Sequence, residues 1–216
     1  PTAVLKQKRI LERTRLCQKM KKVKSVILKT ETVKTVESNM PDCMKLFEND
    51  QIRLRALEPE DLEFLYKWEN DTRLWEYGNT LSPFSKFVLH RYLEHASTDI
   101  YEARQVRLII EDKVTGKPAG TVDLYDFEPY HSRAGIGILV DEAFQQRSYA
   151  TMALELIKQY AFDFLKLHQL YAFIPTDNIR SLHLFRKVGF FETGLLKHWN
   201  KRSEGMVDVA VYQLIS

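Results

Sequence analysis

The residues best suited to chemistry gather where a strand runs into a helix. Across Ile138-Leu-Val-Asp-Glu-Ala-Phe-Gln-Gln-Arg-Ser-Tyr-Ala-Thr151, an apolar strand passes through a polar turn into a long amphipathic stretch. Gln145, Arg147, Ser148 and Thr151 place donors at the predicted helix N-terminus, where unpaired N–H groups and the helix dipole both favour negative charge. That arrangement suits a diphosphate. It also suits an ordinary capped helix, because phosphate cradles generally use glycine to let the main chain approach the anion, and this loop has none. A second constellation, Asn178-Ile-Arg-Ser-Leu-His-Leu-Phe-Arg-Lys-Val-Gly-Phe190, places Asn178 to cap a helix and Gly189 to end it. Asp123 and Asp126 lie on the strand preceding the first constellation, and their odd spacing sends them to opposite faces. The histidines show no metal spacing, and no serine sits in a nucleophile elbow. Both cysteines, Cys17 and Cys43, precede this body, which removes a thiolate nucleophile, a disulfide framework and a cysteine zinc site from it. Their position fits a reducing, cytoplasmic compartment.

These groups need a scaffold, and the hydrophobic pattern after residue 50 supplies one. Ile52-Arg-Leu-Arg-Ala alternates as a half-buried strand does, and Glu58-Pro-Glu-Asp61 opens a helix running to about Asn70. A second helix is expected from about Pro83. Gln105 to Glu111, Ala119 to Phe127 and Gly135 to Val140 read as an antiparallel meander. Ser148 to Leu167 reads as an amphipathic helix of about five turns. A short strand from Leu170 to Ile174, the Asn178 helix, and strands at Phe190 to Gly194 and Val207 to Leu214 complete the order. The pattern predicts one α+β domain on a mixed, mostly antiparallel sheet flanked by helices.

Composition narrows the class. With 216 residues, 44% apolar and 28% charged, wholesale disorder, a collagen repeat and a heptad rod are excluded, and no apolar run approaches the roughly 20 residues that cross a bilayer. Residues 1–43 carry eleven Lys/Arg against four acids, +7, whereas residues 44–216 sum to −4. The first segment reads as a basic extension of loose or single-helix character. A targeting presequence is another reading of it, and contact with nucleic acid or the ribosome is a lesser one, for it has no aromatic residue to stack on a base. Met44 offers a native start for the folded part, placing the domain at 44–216.

Together, Gln145-Gln-Arg-Ser-Tyr-Ala150 and Asn178 to Phe190 resemble the signature of the GNAT superfamily of acetyl-CoA-dependent N-acetyltransferases. That signature is a Gln/Arg-x-x-Gly-x-Gly/Ala loop after a strand, then an Asn-x-x-Ser/Ala-x-x-Leu-Tyr-x-x-x-Gly-Phe helix. The resemblance covers about Ile52 to Leu214 and is greatest to bacterial spermidine and ribosomal-protein N-acetyltransferases. It implies a GNAT-like sheet and acetyl-CoA as cosubstrate, with no metal. It further implies that the strand end Ile138, Leu139 and Val140 pairs with the pantetheine arm and turns an N–H toward the thioester oxygen. Gln145, Gln146, Arg147, Ser148, Tyr149, Ala150 and Thr151 would hold the pyrophosphate, and Asn178 and Phe185 would line the cofactor.

Departures from the pattern carry information. Gln146 and Ser148 stand where relatives commonly have glycine, and Phe185 where many have the tyrosine that protonates the departing thiolate. Tyr149 is a candidate substitute acid. Gly135 replaces a carboxylate of the polyamine branch, and Gly78-Asn79 an acidic pair. Asp123 matches an acidic position of the spermidine enzymes and is the first candidate for amine binding or proton removal, with Glu76 the second. The expected activity is direct acetyl transfer to a primary amine of a polyamine, a small molecule or a protein N-terminus, without an acyl-enzyme. The alternative is a non-catalytic acyl-CoA-binding regulatory module. The final strands leave room for pairing into a homo-oligomer.

Overall fold

The computed structural model describes residues 46–78, 80–96 and 98–216. The expectations about the basic extension, a start at Met44, and Asn79 lie outside those residues. β1 (Ile52–Arg55) buries Ile52 and Leu54. A 3₁₀ turn at Pro59–Asp61 leads into α1 (Leu62–Glu69), with Asn70 as its C-cap. Asp61 does more than open the helix: it accepts the Glu58 N–H at 2.9 Å and both Arg55 Nη atoms at 2.7 and 2.8 Å, tying the helix start to β1. α2 (Thr72–Gly78), α3 (Lys86–His95) and α4 (Ile100–Ala103) follow, Ser85 Oγ capping α3 by accepting the Val88 N–H.

The meander is β2 (Val106–Asp112), β3 (Pro118–Glu128) and β4 (Arg133–Val140). Then come α5 (Tyr149–Gln159), β5 (Gln169–Pro175), α6 (Ile179–Lys187), β6 (Phe191–Arg202) and β7 (Gly205–Ile215). They form a seven-stranded sheet of order β1-β2-β3-β4-β5-β7-β6. β4 and β5 are its parallel pair, and the other neighbours are antiparallel. One face packs Val122, Leu124, Ile136 and Leu170 against Leu154 and Ile157 of α5 and Phe185 of α6. The other packs Ile109 against Leu65 and Trp68 of α1 and Leu89 of α3.

Four differences from the sequence pattern have physical reasons. α2 buries no residue, so it carries no apolar stripe to read, and α4 is a single capped turn. The long helix departs from α geometry at Tyr160–Phe164, a π turn closed by the Leu165 N–H on the Tyr160 carbonyl at 2.9 Å. β6 runs eight residues beyond Gly194 to Arg202, because it is the sheet edge and is exposed along most of its length, leaving no period-two burial to signal it. β7 is paired on both sides within the chain, which leaves only β6 of that hairpin with an edge for another subunit.

Asp141 fastens the end of β4. It is 7% exposed; its Oδ2 accepts from Lys67 Nζ at 2.6 Å and Trp68 Nε1 at 2.7 Å, its Oδ1 accepts from the Ala143 N–H at 3.0 Å, and its own N–H donates to the Ala119 carbonyl at 2.8 Å. Burial alone would raise the carboxyl, yet Lys67, Trp68 and Ala143 hold it below the usual range. Asp112 is lowered likewise against its burial by the Val114 N–H and the Thr115 and Tyr149 hydroxyls. Asp141→Ala strands the buried indole N–H and removes a cap, and should cost roughly 2–4 kcal/mol by denaturant unfolding. Because both native carboxyls are depressed, their stabilisation is complete above the unfolded value near 4 and disappears as pH falls through the native values. The melting temperature should therefore drop on acidification below about pH 4, and Asp141→Asn should flatten that slope.

Candidate active site

β4 and β5 pair only through Arg133, Ala134 and Gly135 with Gln169, Leu170 and Tyr171. β4 nevertheless runs on to Val140, held by β3, and β5 to Pro175, held by β7. The sheet therefore splits in its middle. The Asp141 N–H donates to Ala119 on the β3 side, and the Leu139 carbonyl lies against Gly120. The Ser132 carbonyl instead accepts from His168 and Gln169 on the β5 side. Strand alternation accordingly turns the main-chain groups of Ile136, Ile138 and Val140 into the gap. This corrects the expectation for Leu139, whose main chain is committed to β3 and whose side chain packs against the α1 and α3 cluster.

The gap leads to the loop before α5. Gln146 and Ser148 have φ of +63° and +61°, the left-handed conformation that glycine adopts freely and other residues adopt at about 1–2 kcal/mol. The loop thus keeps a glycine-like path without glycine. Gln145 to Ser148 are exposed, and the Ser148 side chain makes no cap. No main-chain N–H from Gln146 to Thr151 has a protein acceptor among the described residues, and the α5 dipole adds positive potential at that end. Arg180 Nη1 donates to Gln145 Oε1 at 3.3 Å, bringing a second guanidinium to the rim, while Arg147 lies over the Phe144 ring at 5.5 Å. Ala150 and Thr151 are partly buried in the first turn of α5. Asn178 Oδ1 accepts the Ser181 N–H at 3.1 Å, capping α6 as its position suggested.

Two expected contacts are corrected. Tyr149 is 7% exposed, stacked on Phe144 at 6.0 Å, with its hydroxyl on the buried Asp112. It lies in the core beneath the loop and presents no proton to the gap. Phe185 is 3% exposed and edge-on to Phe190 at 5.1 Å, so it packs α6 to the sheet rather than lining the split.

The acids gather on the face that carries α1 and α3. Asp123 stands opposite Arg107 on one side and Gly137 on the other. Arg107 Nε and Nη2 donate to Asp123 at 2.8 and 3.0 Å, and Nη1 donates to Glu69 Oε1 at 2.5 Å. Burial opposes the charge on Arg107, but Asp123 and Glu69 more than offset it and the guanidinium stays ionised. The trio carries one net negative charge beside the split. Tyr92 packs under Arg107, with a phenol raised by burial. Sequence reasoning missed Glu69 and Arg107. The available signal was a lone arginine at an inward-facing position of β2, two residues before the buried Ile109. Glu76, on α2, faces Arg202, which also pairs with Asp177 at 3.1 Å just past the end of β5. Asp126 is exposed at the β3 bulge. Where the polyamine branch would carry a carboxylate, Gly135 instead lies under the Tyr125 ring.

Tyr149→Phe should lose about 1 kcal/mol of stability with Asp112 short of one donor, and leave turnover within about two-fold. Ser148→Gly should relieve the left-handed strain at some entropic cost, so calorimetric affinity for acetyl-CoA should hold or improve.

Comparison with known proteins gives the family. Residues 51–191 match the acetyltransferase (GNAT) domain family. The spermidine N(1)-acetyltransferase of Escherichia coli K12 is 31% identical over 149 residues, 68% of this chain and 76% of that protein. The Vibrio cholerae spermidine N-acetyltransferase in complex with CoA and spermine superposes with a TM-score of 0.70 at 26% identity, covering 77% of this chain and 96% of that one. A dodecameric structure of the Vibrio cholerae enzyme superposes at 0.63 and 25% identity, covering 77% and 95%. The matched span contains the split strands, the loop before α5 and the whole Asn178-to-Phe190 element, and the chain belongs to the GNAT acetyltransferases.

Proposed function

We propose that this N-acetyltransferase carries acetyl from acetyl-CoA directly to the primary amine of a cationic alkylamine, polyamines included. The observation that carries the reading is the juxtaposition of the split between β4 and β5 with the Glu69–Arg107–Asp123 trio on the adjoining face. The split and loop suit a long amide-bearing arm ending in a diphosphate. The main-chain groups of Ile136, Ile138 and Val140 can complete a strand-like ladder with the arm's amides. The N–H groups of residues 146–151, with Arg180 at the rim, suit the phosphates. Acetyl-CoA, when bound, supplies an activated thioester acyl group.

The chain's own residues then have three tasks. Main-chain N–H groups in the gap offer fixed donors for negative charge developing on an acyl oxygen. The net negative trio attracts an ammonium ion. Glu69 Oε2, which has no protein donor among the described residues, is better placed to take a proton than Asp123, whose two oxygens both face Arg107. Proton removal matters because an alkylamine of pKa about 10.4 is roughly 0.04% neutral at pH 7, equivalent to about 4.6 kcal/mol. A thiol of pKa about 8.5 is a tolerable leaving group without an enzymic acid, which accommodates the burial of Phe185 and Tyr149. The same burial is what favours the second reading, a non-catalytic acyl-CoA-binding module. Homo-oligomerisation through the open β6 edge, with Phe191, Leu195 and Trp199 exposed beside it, is part of the proposal.

Calorimetry with acetyl-CoA should show micromolar binding that Ser148→Glu abolishes by placing negative charge at the loop. Absence of binding at millimolar cofactor would withdraw the enzymatic reading. Thiol release with a panel of primary amines separates an enzyme from a binding module. Glu69→Gln should lower kcat/KM for the amine by about 10²- to 10⁴-fold with little change in acetyl-CoA affinity. The rate at subsaturating amine should stay nearly flat between about pH 7 and 9 in the intact protein, where Glu69 takes the proton from bound ammonium, and should rise nearly tenfold per pH unit in Glu69→Gln, which must await neutral amine.

A further inference from the structure

Three glycines inside the strands of the site are not equivalent. A Cβ on Gly120 would lie 2.0 Å from the Leu139 carbonyl, and one on Gly135 would lie 2.2 Å from the Tyr125 ring. Packing excludes a side chain at both. A Cβ on Gly137 would meet only Tyr125 Cε1, at 3.8 Å, an ordinary contact, and Gly137 is not among the residues of positive φ. Neither sterics nor backbone conformation requires glycine there, and a glycine inside a strand weakens it relative to alanine. A strand glycine without a structural reason commonly marks close approach of another molecule.

Its surroundings say which molecule. Gly137 pairs directly across from Asp123 and lies between Ile136 and Ile138, whose main chains face the gap. By alternation its missing side chain would project on the face of Asp123, Tyr125 and Leu139. It is partly exposed where Gly135 is buried. The bare main chain therefore forms a short crossing between the carboxylates and the split, with the Tyr125 edge at one side.

We infer that Gly137 is the specificity-determining position for the acceptor: an unbranched primary alkylamine crosses β4 over Gly137, with its ammonium group held by Asp123 and Glu69 until it is deprotonated. This rests on the proposed acetyl transfer to a cationic amine. A methyl group at position 137 narrows the crossing while leaving the gap-facing main chain of Ile136 and Ile138 in place.

The test compares Gly137→Ala and Gly137→Val with the intact protein. Spermidine and n-butylamine serve as acceptors. Gly137→Ala should keep or raise the melting temperature and keep the calorimetric Kd for acetyl-CoA within about two-fold, while kcat/KM for both amines falls at least about tenfold, mainly through KM. Gly137→Val should fall further. Amine kcat/KM within about two-fold of the intact protein in both Gly137 variants would overturn the inference. So would a parallel loss of acetyl-CoA affinity, which would assign Gly137 to the cofactor side. Failure of the intact protein to bind acetyl-CoA or to acetylate any amine would overturn the proposed function itself, and this inference with it.

Discussion

β4 and β5 share three residue pairs and then part, and the site depends on that separation. Main-chain N–H and C=O groups left without partners are costly when buried, about 1–3 kcal/mol each, so a sheet ordinarily zips to the end of its strands. Here each strand is instead anchored on its outer side, β4 by six consecutive pairs with β3 and β5 by seven with β7. The Asp141 clamp holds the far end of β4 toward α1, and the Ser132 carbonyl, which accepts from both His168 and Gln169, pins the near end to β5. A strand-like ligand arm entering the split can satisfy the groups the chain leaves open. The same opening lets such an arm run from the sheet to the N-terminus of α5.

The last turn of α1 links the two halves of the site. Lys67 and Trp68 hold Asp141 at the end of β4, and the next residue, Glu69, holds Arg107 and through it Asp123. One helix end therefore sets the height of β4 and the position of the two carboxylates together. Arg107 keeps two carboxylates close without mutual repulsion and leaves one net negative charge. The exposed Lys67 adds little by itself; the buried indole N–H of Trp68 gives the clamp its direction.

The loop before α5 shows how main-chain shape can outlast the residue type that usually encodes it. Gln146 and Ser148 take the left-handed conformation with their side chains in solvent, so the amides stay available and the strain is local. The Tyr125 ring over Gly135 works in the opposite sense, filling with an aromatic face a place where relatives in the polyamine branch would present charge.

Much of this was legible in the sequence. Alternation in Ile52-Arg-Leu-Arg and in the meander, the amphipathic run after Ser148, and the Asn178 and Gly189 helix signals determined the α+β order and most element boundaries, because those patterns report burial that the sheet then provides. The Asn178 cap and the strand position of Asp123 were legible in the same way. Only the tertiary structure decided that Leu139 turns to β3, that Tyr149 and Phe185 belong to the core, that Glu76 joins Arg202 while Glu69 joins Arg107, and that Gly137 is bare without steric need. Each of these depends on which strand or helix lies alongside, through pairings between residues such as Glu69 and Arg107 that are 38 positions apart. Local periodicity records whether a side chain is buried, whereas its partner is chosen by the packing of distant segments.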